Sequence, residues 1–98
     1  IVYFASEAAL PGGKVANISA YAVAKSGVLT LMRAVAQEER DTGVRANALA
    51  PTSIRTATNI AAMGEKVRYV ERDDVAAAVA YLCSDEASAI TGQVIALS

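Results

Sequence analysis

An α/β fold, a parallel sheet of three strands with two main helices on its faces, is what this 98-residue chain predicts. Apolar, β-rich segments alternate with segments of helical periodicity, and the helical segments supply the long crossovers that parallel strands require. The runs "IVYFA" and "VIAL" also lack polar alternation, the pattern of strands covered on both faces.

Taken in order, "IVYFAS" (1–6) reads as a strand, and Pro11, Gly12 and Gly13 make "EAALPGGKVANI" a loop. From Ser19 to Thr42 the period is helical, with Asn17 or Ser19 as N-cap and Gly43 as the stop. "VRANALA" (44–50) is a second strand, ended by Pro51. Residues 52–70 read as irregular, with a short helix around 58–64. Asp73 or Asp74 caps the stretch "DVAAAVAYLCSD", and "QVIALS" after Thr91-Gly92 is the last strand. In such sheets ligands bind beyond the carboxyl ends of the strands, which points to Ser6, to Pro51 through Thr56, and to the N-terminal turn of the long helix.

Composition narrows the function classes. The chain is 54% hydrophobic and 19% charged with formal net charge −1, a globular composition for one small domain. Scattered Lys and Arg and few aromatics argue against nucleic acid or an acidic membrane as partner. No apolar run approaches the length of a membrane span. A single cysteine, Cys83, and no charged-then-apolar leader favour a cytoplasmic location. Histidine is absent, which removes Ser-His-Asp and Cys-His catalysis and the commonest zinc sites, so no metal is expected. Proton chemistry then falls to Tyr, Lys, Asp or Glu.

Within "SAYAVAK", Tyr21 and Lys25 stand four residues apart, and a helical wheel puts both on the apolar side with Val28 and Met32. The plain reading is a core aromatic and a lysine whose amine reaches outward. The functional reading is a lysine charge that lowers the tyrosine pKa from about 10, so that the phenol exchanges a proton near neutral pH.

The surroundings of the pair decide. "VYFAS" ends in Ser6, "YAVAK" follows a loop, "VRANALAPTSIRT" runs from a strand through Pro51 to Ile54 and Thr56, and "SAITGQVIAL" closes the chain. In order and spacing this set resembles the short-chain dehydrogenase/reductase family across essentially the whole sequence. The resemblance implies the C-terminal part of a Rossmann-like parallel sheet, and it implies roles. Tyr21 is the expected acid or base at the substrate oxygen, and Lys25 is expected to assist it and to hold the nicotinamide ribose. Ser6 would hydrogen-bond the substrate oxygen, with Ile54 and Thr56 at the carboxamide and Pro51 shaping that loop. Ser19 and Ser26 rival Ser6, but only Ser6 ends a strand. The implied cofactor is NAD or NADP, and the implied substrate a small carbonyl or alcohol.

Three departures stand out. Thr52 occupies a position where the family most often has glycine, and the segment between Thr56 and Asp73 is short for a substrate cover. There, Ile60 and Met63 read as packing residues before substrate-facing ones. No Gly-rich phosphate turn occurs, and neither Asn47 nor Asn59 stands where the family's active-site asparagine does. Residues 1–98 therefore read as a single partial domain, the C-terminal catalytic half of such an enzyme, expected to be inactive and to bind NAD(P) weakly or not at all alone. The alternatives are a truncated binding or assembly module and a small nucleotide-free hydrolase or isomerase. Because the long helix is apolar almost all round, a homodimer or higher homo-oligomer is also expected, with Leu29 and Ala34 as test positions.

Overall fold

The computed structural model describes residues 1–98. Its elements are β1 (Val2–Phe4), α1 (Ser19–Glu38), β2 (Asn47–Pro51), α2 (Ala57–Met63), α3 (Arg72–Cys83) and β3 (Val94–Leu97). The strands form one parallel sheet in the order β1-β2-β3, with Tyr3 opposite Ala48 and Leu49 opposite Ile95. This is the α/β architecture the sequence predicts, with α2 as a third, short helix.

Strand alternation assigns the two faces. On one, Ala48 and Ala50 pack with Leu29, Met32 and Ala36 of α1, together with Ala5 and Ala46. The small alanine side chains leave Met32 the bulkiest fully buried group of that layer. On the other face Leu49 meets Val70, Val75 and Leu82. Only β2 is buried at every position. β1 and β3, read from sequence as covered on both faces, are half-buried with Phe4 and Ala96 exposed, because each has an open edge.

Several boundaries moved for local reasons. Ile18, not Asn17 or Ser19, is the N-cap of α1, and no side chain caps it. Asn17 has φ +66°, a left-handed conformation incompatible with the extended backbone of an N-cap. α1 stops at Glu38, before the predicted Thr42, whose hydroxyl donates to the Glu39 carbonyl and sits 2.9 Å from the Glu39 carboxylate. The cap of α3 is Glu71, engaged instead with Arg55, while Asp73 and Asp74 lie in the first turn, where the helix dipole favours negative charge.

Two polar residues tie the last segment down. Asn47, 1% exposed, donates from Nδ2 to the Ile90 carbonyl at 2.9 Å and accepts at Oδ1 from the Gln93 N–H at 3.0 Å. Gly92 within that turn has φ +72°, a conformation glycine adopts without cost. Arg45 donates to the carbonyls of Leu82, Ser84 and Ile90, a cation at the C-terminal end of α3.

On α1, the buried residues are Ala22, Leu29, Met32 and Ala36, while Val23 and Leu31 are exposed at 72% and 53%. Leu29 thus belongs to the sheet-facing core and Ala34 is half-buried, so the uncovered side is the one carrying Val23 and Leu31. No helix is long and apolar enough to cross a membrane.

Candidate active site

The carboxyl ends of β1 and β2 open side by side, and a cavity of about 370 Å³ lies across them. From β1 and its continuation come Phe4, Ala5, Ser6 and Glu7, and from β2 and its continuation Pro51, Thr52, Ser53 and Ile54. α1 contributes Tyr21 and Lys25, and α2 contributes Asn59 and Met63. Five of the six residues singled out from sequence, Ser6, Tyr21, Lys25, Pro51 and Ile54, therefore share one wall system. Thr56 does not line it. Its hydroxyl accepts from the Asn59 N–H and caps α2.

Each polar group has an identifiable support. Ser6 is buried, and its Oγ accepts from the Ala8 N–H at 3.3 Å at the start of a short 3-10 turn, Glu7–Ala9. Its own O–H has no acceptor within the chain and is available to a ligand. That turn is backed by Gly13, where a Cβ would sit 2.5 Å from the Glu7 carbonyl oxygen, so only glycine lets the loop close. Lys25 donates to the Phe4 carbonyl at 3.2 Å, and its Nζ lies 6.0 Å from the centre of the Tyr21 ring. Tyr21 is half exposed, its hydroxyl without a partner in the chain. Ser19 and Ser26, the rival serines, line a separate shallow depression with Val15, Ala22 and Val23.

The loop from Ser53 to Arg55 is held like a strand. The Val70 N–H donates to the Ser53 carbonyl at 2.8 Å, and the Arg55 N–H donates to the Val70 carbonyl at 2.9 Å. A trans peptide turns its N–H and C=O in opposite directions, so the Ile54 N–H and C=O both face away from Val70. The C=O is taken by Asn59 Nδ2 at 2.8 Å, and the N–H has no acceptor in the chain. Arg55 donates from Nε to Glu71 at 2.8 Å and stacks 5.0 Å from the Tyr69 ring centre. Glu71, by that hydrogen bond and by its charge, holds the guanidinium above its ordinary pKa.

Met63 lines the cavity and Ser53 Oγ lies 3.8 Å from its sulfur, whereas Ile60 stays outside the wall. Met63 thus borders the cavity, the role the sequence reading ranked second for it, while Ile60 is half-buried outside the wall. Ser53 lies in the stretch Pro51 through Thr56 that the strand ends point to, whereas Glu7 and Asn59 were not given a role from sequence. Of these two, only Asn59 carried a signal, at the third position of a helix opened by Thr56.

An open parallel sheet with helices on both faces, and a polar cavity at the carboxyl ends of its strands, defines an α/β protein with a ligand site at the sheet edge. The family model described as Enoyl-(Acyl carrier protein) reductase matches residues 1–98. The chain belongs to the short-chain dehydrogenase/reductase family. Cyclohexanol dehydrogenase of Acinetobacter sp. is 42% identical over 100 residues, covering 94% of this chain and 39% of that protein. The 7alpha-hydroxysteroid dehydrogenase of Bacteroides fragilis is 34% identical over 90 residues, covering 81% and 35%. A short-chain type dehydrogenase/reductase from Mycobacterium ulcerans superposes with a TM-score of 0.87 at 36% identity, covering 97% of this chain and 38% of that one. A 4-hydroxyisoleucine dehydrogenase complexed with NADH gives 0.81 at 26% identity, covering 99% and 43%. The chain thus spans well under half the length of these relatives.

Proposed function

We propose that the chain is the C-terminal catalytic half of an NAD(P)-dependent oxidoreductase that moves hydride between nicotinamide and a small carbonyl or alcohol. The observation that carries this reading is the meeting of Ser6, Tyr21, Lys25, Pro51 and Ile54 around one cavity, brought there by three separate elements. Family membership supports the same chemistry, and relatives of this fold are described as dehydrogenases and as bound to NADH. The residues present fit the nicotinamide end of the cofactor: the unpartnered Ile54 N–H is a donor for a carboxamide oxygen, and the Lys25 ammonium is a donor for hydroxyls.

When bound, the nicotinamide supplies or accepts the hydride. The chain's own residues manage the proton and the charge. Tyr21, with its hydroxyl free in the cavity wall, gives a proton to the substrate oxygen in reduction and takes it in oxidation. Ser6 directs its free O–H at the same oxygen and stabilises charge that develops there. Lys25 sets a positive charge beside the phenol. Pro51 ends β2 and starts the loop that presents Ile54, and Thr56 acts on the carboxamide only indirectly, by capping the helix that holds Ile54.

The test is Tyr21→Phe in the protein expressed with its whole reading frame. Turnover should fall at least about 100-fold, the usual scale for losing a positioned proton donor. Retention of a third of the activity would remove Tyr21 from this role. Self-association is part of the proposal: the exposed side of α1 around Val23 and Leu31 suits a second copy of the chain.

A further inference from the structure

We infer that Asn59 is a positioning residue for the nicotinamide end of the site, acting through the backbone of Ile54. This rests on the functional reading above and adds a residue that neither the motif nor its spacing points to.

Asn59 holds three contacts at once. Its N–H donates to Thr56 Oγ1 at 3.1 Å, its Nδ2 donates to the Ile54 carbonyl at 2.8 Å, and its carbonyl lies 3.3 Å from the Tyr69 hydroxyl, which it shares with the nearer Gly64 carbonyl. In an ordinary capping box the third helical residue reaches back to the N-cap N–H with an acceptor. Here the side chain reaches further back, to Ile54, and uses a donor.

The geometry explains why that bond matters. Val70 fixes the Ser53 carbonyl and the Arg55 N–H on one side of the loop, and Asn59 fixes the Ile54 carbonyl on the other. The peptide groups on both sides of Ile54 are then anchored, and its N–H is left unpaired on the side where Asn59 lines the cavity. Without Nδ2 the Ile54 carbonyl would be free to accept from solvent and the 54–55 peptide to rock about its Val70 tether. A donor held in place loses less freedom when a ligand binds it.

α2 has no buried residue, and its N-cap belongs to Thr56, so truncation at Asn59 leaves the core intact. Asn59→Ala and Asn59→Asp serve as the variants, the second replacing the donor by a carboxylate against a carbonyl. Calorimetry on the protein with its whole reading frame would compare NAD(P) with the matching ADP-ribose, or its 2′-phosphate, which lacks the nicotinamide ring. The expected result is about a tenfold weaker Kd for NAD(P) in both variants, the size of one lost hydrogen bond, with ADP-ribose affinity moved less than about twofold. Equal loss for both ligands, or no loss for NAD(P), overturns the assignment. If the unmodified protein binds NAD(P) no more tightly than ADP-ribose, the nicotinamide reading itself fails, and Asn59 with it.

Discussion

The ammonium of Lys25 donates to the carbonyl oxygen of Phe4 at 3.2 Å, joining the middle of α1 to the carboxyl end of β1 at the cavity rim. The same side chain stands beside Tyr21, so one group links the helix, the strand end and the proposed proton donor.

Lys25→Ala should therefore damage two properties together. In the whole protein, turnover is expected to fall at least about 100-fold and the Kd for NAD(P) to rise about tenfold. Tyr21→Phe should move that Kd by less than about threefold, because the phenol acts mainly in the transition state. Titration of both variants with cofactor separates the two roles, and an unchanged Kd in Lys25→Ala would contradict its part in binding.

Asn47 sets the stability of the last strand. Asn47→Ala removes partners from the Ile90 carbonyl and the Gln93 N–H, and the expected destabilisation is about 2 to 4 kcal/mol. Urea unfolding measures it, and a change below about 0.5 kcal/mol would show that solvent replaces both bonds.

The present chain alone should hold NAD(P) weakly. On the proposed reading its residues meet only the nicotinamide end, whereas much of the specific affinity in such folds comes from pyrophosphate at a helix N-terminus. Sub-micromolar binding in calorimetry would contradict this.

Self-association should depend on the exposed side of α1. Val23→Lys or Leu31→Glu is expected to shift an oligomer toward monomer in light scattering at about 100 µM, a concentration that fills interfaces of modest affinity. Leu29→Glu should instead lower folding stability, since Leu29 packs against the sheet. A monomer in the unmodified protein would exclude the interface.

Much of the site was legible because it depends on short-range spacing. Tyr21 and Lys25 share a helix, so their period places them together, and Ser6 and Pro51 end strands whose apolar runs are plain. Thr56 was read as a ligand contact, yet a threonine before a helix is equally a cap, and spacing does not separate the two. Asn59 and Met63 enter the wall because Tyr69 and Val70, further along the chain, fasten α2 and its loop. The caps of α1 and α3 were misplaced for a similar reason: Asn17 is committed to a left-handed turn and Glu71 to Arg55.

The sheet register has a kinetic corollary. Val2 pairs with Asn47 and Ala48 with Val94, so every strand pairing joins distant stretches and no hairpin is available to seed the sheet. Topologies of this kind close slowly, because loop entropy is lost before any ladder bond forms. α1 and α3, built from local bonds, are then expected to precede the sheet, with β2 as the shared partner of β1 and β3. Until β3 arrives, the edge of β2 stays open, and on the ribosome that interval lasts until the residues after Gly92 have emerged.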